Sequence, residues 1–213
     1  MGLVVACPFV LGDWSNLAAN GPPGAYPAST IGGAAWMGVT ADGPSLLLTA
    51  GDTGASDGVS MSNCPNSDVA MTVICRGALP AGSGYNLAGE AGPTGDWNIS
   101  SQSGSAYRFE FNAPSGNIQM FGGVSAAVGG DTIGASVGPA LASMYLNGAL
   151  LGTTTVTSTN LGSATTLRIG QRQDGFQHAA TWVSFFYKWN RQLSNQEVLQ
   201  ATLEPYSFLM PEG

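Results

Sequence analysis

Apolar and polar residues alternate along most of this chain in short runs, the period of two that marks half-buried β-strands. YRFEF (107–111) is the cleanest case, with Tyr107, Phe109 and Phe111 predicted inward and Arg108 and Glu110 outward. VAMTVICR (69–76) places Val69, Met71, Val73 and Cys75 on one face, and TTLRIG (165–170) buries Leu167 and Ile169. WMGVT (36–40) and SLLLT (45–49) read as two more strands, and PSGN (114–117) as the turn that returns IQMF (118–121) as a hairpin partner. SMYLNGALLG (143–152) has Asn147-Gly148 between apolar runs, the pair that suits a type I′ hairpin because both central residues need positive φ. WVSFFYKW (182–189) is apolar on both faces, which predicts a central strand with Trp182 and Trp189 in the core. Strands at this spacing predict a two-sheet sandwich.

The period changes once. In LSNQEVLQATLEP (193–205), Ser194 and Glu197 form a capping box, and Leu193 and Val198 a hydrophobic staple. Val198, Leu199 and Leu203 would supply one apolar stripe, and Pro205 stops the helix. The Gly-, Ser- and Asp-rich stretches 50–66, 77–104 and 122–138 read as long loops. The chain divides into an extended N-terminal arm (1–35, with three prolines in GPPGAYP), a sandwich (36–204) and a short tail (205–213).

Charge narrows the partners. The 213 residues carry only six Lys and Arg against a net charge of −7, and the basic residues are scattered. No cluster can neutralise a run of phosphates or an anionic bilayer, so nucleic acid and membrane are excluded as expected partners. No apolar run approaches the ~20 residues of a membrane-spanning helix. VVAC (4–7) looks like the end of a lipoprotein signal, but no basic segment precedes it and the apolar stretch is short, so synthesis in the cytosol without an export signal is expected. Cys7, Cys64 and Cys75 follow no metal-ligand spacing and read as small buried hydrophobes; a Cys64–Cys75 disulfide stays open.

The elements in this order resemble the laminin-G-like branch of the concanavalin A-like lectin/glucanase superfamily. The resemblance is carried by GPSLLLTAGDTGASDGVSM (43–61), DVAMTVICR (68–76), SMYLNGALLG (143–152), LRIGQRQDG (167–175) and ATWVSFFYKWNRQLSNQEVLQ (180–200). It implies an all-β fold: a two-sheet antiparallel jelly-roll sandwich with one short C-terminal helix. The tail PYSFLMP (205–211) resembles the Pro-aromatic ends of such domains in tailed-phage and prophage virion proteins. That implies a virion component made in a bacterial cytoplasm, with other virion proteins as partners and the tail as a docking segment.

The chemistry follows from the resemblance and the loops. Glycoside hydrolysis needs two carboxylates in register, and no such pair stands on any predicted strand; Glu110 has Arg108 as its same-face partner. His178, four residues after Asp174, is the single histidine and reads as a loop residue, with no nucleophile elbow or phosphate loop to support it. An enzyme is therefore not expected. Calcium is the cofactor the resemblance brings into view, with Asp52, Asp57, Asp131 and Asp174 as oxygen ligands. Sugar binding would use an aromatic platform with hydrogen-bonding neighbours, for which Trp97, flanked by Asp96 and Asn98, is the first choice; packing over a sandwich edge is the other reading of Trp97. The function expected is non-catalytic: a tail- or baseplate-associated virion protein that binds host-surface glycan. The alternative is a capsid decoration or cement protein that uses the same fold for protein contacts.

Overall fold

The computed structural model describes residues 3–8, 28–31, 36–40, 43–48, 58–64, 69–79, 85–91, 97–102, 106–113, 116–122, 130–157, 165–170 and 182–207. The strands are β1 (Leu3–Pro8), β2 (Ala28–Ile31), β3 (Trp36–Thr40), β4 (Gly43–Leu47), β5 (Gly58–Cys64), β6 (Met71–Ala78), β7 (Asn86–Ala91) and β8 (Trp97–Gln102). They continue as β9 (Ala106–Ala113), β10 (Gly116–Gly122), β11 (Asp131–Val137), β12 (Leu141–Leu146), β13 (Ala149–Thr155), β14 (Thr165–Ile169) and β15 (Trp182–Trp189), and end in α1 (Asn195–Leu203). Among the described residues, sheet I runs β13-β12-β11-β6-β15-β4-β3, with β1 also paired to β15, and sheet II runs β10-β9-β8-β7-β14-β5-β2. Every pairing is antiparallel. The fold is an all-β, two-sheet jelly-roll sandwich with one short C-terminal helix.

Alternation builds two apolar layers. Between the sheets, Val73, Cys75, Met144 and Phe186 of sheet I meet Ile99, Phe109, Phe111, Leu167 and Ile169 of sheet II. On the other face of sheet I, Ile74, Tyr145, Phe185, Tyr187 and Trp189 form a second layer, which Leu193, Val198 and Ala201 cover. This is why β15 is buried at all eight of its positions: it lies between β6 and the β1/β4 pair, with one apolar face for each layer.

The turn into α1 is held from sheet I. Leu193 N–H donates to Thr72 Oγ1 at 2.9 Å, and that hydroxyl donates to the Arg191 carbonyl at 2.9 Å. The capping box forms as its spacing predicts, with Arg191 Nη2 2.7 Å from Glu197 Oε1. The apolar stripe differs from expectation: Val198 and Ala201 are buried, whereas Leu199 and Leu203 are 43% and 69% exposed. Val198 and Ala201 lie about 60° apart round the helix and form the face that meets sheet I, while Leu199 is about 100° from Val198 on the side away from Ala201. At the β12–β13 turn, Asn147 (φ 51°) and Gly148 (φ 83°) take the predicted positive-φ pair.

Three expectations change, and the cysteine pairing that stood open is decided. Parts of the expected loops 50–66, 77–104 and 122–138 are strands β5, β7, β8 and β11. From the first 35 residues, β1 joins sheet I and β2 joins sheet II. Val69 is 54% exposed, because the strand begins only at Met71. None of the three cysteines is in a disulfide and all are buried, with Cys64 in sheet II and Cys75 in sheet I, so the Cys64–Cys75 bridge does not form. Of the proposed tail, residues 208–213 lie outside the described residues.

Candidate functional site

The two sheets differ on their outer faces. Sheet I turns its outer face to α1, whereas the outer face of sheet II carries hydrogen-bonding side chains across β8, β9 and β10. Inward positions on these strands are apolar: Trp97 and Ile99 on β8, Phe109 and Phe111 on β9, Met120 on β10. The residues between them therefore point outward. Register brings these together as one row, Gln119–Glu110–Asn98, and beside it a second, Phe121–Arg108–Ser100. Asn117 and Asn112 pair at the next position.

Glu110 is the hub. Its Oε1 accepts from Asn117 Nδ2 and, at 3.3 Å, from Gln119 Nε2; its Oε2 accepts from Asn98 Nδ2 at 3.5 Å and lies 3.4 Å from Arg108 Nη2. Arg108 Nε also donates to Ser100 Oγ at 3.0 Å. Burial pushes the Glu110 carboxyl up, but the Asn117 amide, the Arg108 guanidinium and the Gln119 and Asn98 amides outweigh it and hold the carboxyl below its ordinary value. The inner end of the row is closed and the outer end open: Asn98 is 2% exposed, while Asn117 and Gln119 are exposed. Asn98 Oδ1 is buried and meets no hydrogen-bond partner among the described residues. At the corner stands Phe121, 52% exposed on an edge strand.

An exposed aromatic ring beside a carboxylate, a guanidinium and three amides is suited to a ligand with both an apolar face and hydroxyls. Nothing local in the sequence singles out Phe121, because IQMF alternates with Met120 inward and reads simply as strand; its outward parity with Gln119 is the one available signal.

Of the expected sugar-binding residues, Asn98 belongs to this cluster, Trp97 does not, and Asp96 lies outside the described residues. Trp97 is 1% exposed and faces inward, a correction to the exposed-platform reading. Its indole stacks on Phe186 (centroids 6.4 Å apart, planes 5° apart), and Nε1 donates to Glu90 Oε2 at 2.7 Å. The reason is parity: WNIS puts Trp97 and Ile99 on the core face, and a buried indole N–H needs an acceptor, which Glu90 supplies. The same Glu90 oxygen lies 2.5 Å from Lys188 Nζ, and both side chains are essentially buried, so a charge pair spans the two sheets.

Asp131, of the expected calcium ligands, is 7% exposed, and both carboxylate oxygens accept hydrogen bonds, from Tyr107 OH and Asn147 Nδ2, each at 2.9 Å. Asn147 Oδ1 in turn accepts the Thr132 N–H at 2.9 Å. Asp131 thus anchors the hairpin turn. Asp52, Asp57 and Asp174, and also His178, lie outside the described residues. Among the described residues no group of three His, Cys, Asp or Glu could hold a metal ion.

No protein-family model matches the chain, and no curated protein sequence matches it. Solved structures do. The binding domain of Paraclostridial Mosquitocidal Protein 1 aligns with a TM-score of 0.73 at 13% identity, over 97% of this chain and 53% of that one. Domain 4 of AbnA, a GH43 extracellular arabinanase from Geobacillus stearothermophilus solved in complex with arabinotriose, aligns with a TM-score of 0.73 at 13% identity, over 94% of this chain and 98% of that one. The binding domain of botulinum neurotoxin DC, in complex with SialylT, aligns with a TM-score of 0.72 at 10% identity, over 95% and 51%. The chain spans about half the length of the toxin binding domains it matches. At these identities the likeness is one of fold, a β-sandwich shared with binding domains.

Proposed function

We propose that this protein is a non-catalytic, lectin-like component of a phage virion, placed at the tail or baseplate, that binds host-surface glycan through the outer face of β8–β10. The observation that carries the binding is Phe121 standing exposed beside the Glu110 hydrogen-bond hub. A pyranose ring has a C–H face for the phenyl ring and equatorial hydroxyls for the Asn117, Gln119 and Glu110 groups. The fold shared with an arabinotriose-bound domain and a SialylT-bound domain supports the same reading. The phage setting draws on the resemblance of the sandwich elements and of PYSFLMP.

A glycan array read with wild-type protein and with Phe121→Ala tests the binding. Wild type is expected to select one glycan class, and Phe121→Ala to weaken it roughly tenfold, about 1.4 kcal/mol. An array with no wild-type signal sinks the reading. Immunolabelled virions under negative stain test the placement, with label at the tail expected. Label spread over the head would favour the alternative, a decoration or cement protein, for which the exposed Leu199 and Leu203 of α1 would be contact residues.

A further inference from the structure

We propose that β13 is a pairing edge through which a second copy of this chain adds to sheet I, antiparallel, about a two-fold axis at Thr154. The inference is independent of glycan binding. β13 ends sheet I and pairs only with β12, while the Gly122 end of β10 comes close to Leu151. The phase of that ladder is fixed by Val156 N–H, which donates to the Ala140 carbonyl at 3.1 Å. Hydrogen-bonded and non-bonded pairs alternate in an antiparallel ladder. Thr154 opposite Ala142 is therefore bonded inward, and Thr153 opposite Ser143 and Thr155 opposite Leu141 turn their N–H and C=O groups away from β12. These outward groups meet no hydrogen-bond partner among the described residues.

Edge strands are normally blunted by Lys, Pro, an inward charge, a bulge or brevity. The ALLGTTT of β13 has no Lys, Pro or charge and is seven residues long; its one bulge falls at Leu151, before the Thr153–Thr155 segment, with Leu150 and Leu151 44% and 39% exposed. The contrast with the rest of the molecule identifies the occupant. Between Asp131 and Arg168 the sequence contains no charged side chain, so β12, β13 and the turn that joins them carry no charge. A chain with net charge −7 repels its own copies elsewhere, and this margin lets two copies approach without opposing like charges. The strand also matches itself: about Thr154, Thr153 faces Thr155 of the second copy and the reverse, closing both pairs of outward groups. Gly152 fits this arrangement. A Cβ there would meet no atom within 4 Å and its φ is not positive, so neither packing nor the neighbouring bulge requires glycine. Glycine inside a strand is common where another backbone comes close.

Sedimentation velocity on the full chain tests the proposal. Wild type should show a concentration-dependent dimer, and Thr153→Pro, which removes one outward N–H while leaving the β12 ladder intact, should raise the dissociation constant at least roughly tenfold. Far-UV circular dichroism and melting temperature check that the variant is folded. Wild type that stays monomeric up to about 1 mM, or a folded Thr153→Pro that dimerises like wild type, overturns the proposal. If Thr153→Pro does not fold, Thr154→Cys decides. At the two-fold the pair is non-bonded, with Cα atoms about 4.5 Å apart, within disulfide reach. Mild oxidation should give a covalent dimer while the three native cysteines stay buried, and no cross-link would overturn the pairing.

Discussion

Lys188→Met isolates the charge pair that joins the two sheets. Lys188 Nζ lies 2.5 Å from Glu90 Oε2, with side-chain exposures of 0% and 1%, so neither charge has water to fall back on. Removing the ammonium leaves a buried carboxylate with only the Trp97 indole N–H at 2.7 Å, and Glu90 Oε1 already lacks a partner among the described residues. Breaking one side of such a pair costs about 3–5 kcal/mol. For a chain of this size that corresponds to roughly 6–20 °C in melting temperature. Lys188→Met with Glu90→Gln removes both charges yet keeps an oxygen for Trp97, and should recover most of the loss, because replacing both charges is often neutral or stabilising. Urea unfolding followed by tryptophan emission measures all variants, and the double-mutant cycle gives the coupling. Single variants within about 0.5 kcal/mol of wild type would show that the pair is not buried as described.

Gly148→Ala should destabilise by more than ~1 kcal/mol in urea melts, since its φ is +83° and a Cβ would come within 2.7 Å of Leu199 Cδ1. Acid should weaken the fold: Arg191 and the Ser194 cap hold the Glu197 carboxyl down at about 2 against an ordinary 4.5, and Glu110 is also lowered. Carboxyls depressed in the folded state contribute stability above about pH 4.5 that is lost as pH falls toward 2, so Glu197→Gln should flatten part of that loss in melts between pH 6 and pH 2. Burial pushes the Cys64 and Cys75 thiols up to about 12, so iodoacetamide at pH 8 should leave both unmodified until denaturant is added; rapid labelling of the native protein would contradict their burial.

The strands legible in the sequence were those with strong side chains in strict alternation. YRFEF and TTLRI state their own faces, and WVSFFYKW announces a strand buried on both sides. DTIGASV and NLAGEA do not, because Gly, Ala and Ser carry little strand preference. They pair because tertiary context supplies it: β11 lies between β6 and β12, where small residues let the faces close, and all seven of its positions are buried. The helix cap was readable from four residues, while its buried face was not, since the choice between Ala201 and Leu199 is made by the sheet beneath. For the site, the largest aromatic in a polar stretch draws the eye in the sequence, yet Trp97 is a core residue satisfied by Glu90. Phe121, Gln119 and Asn117 converge with Glu110 through the register of the β9–β10 hairpin, which the sequence predicts without marking any of the three as a site residue.

Amide chemical-shift mapping, with the best array glycan titrated into labelled protein, tests directly whether ligand meets the protein on β8–β10. The shifts should gather on residues 98–100, 108–112 and 117–121 and vanish in Phe121→Ala. Saturating binding whose shifts gather on α1 and sheet I, with β8–β10 silent, would contradict it.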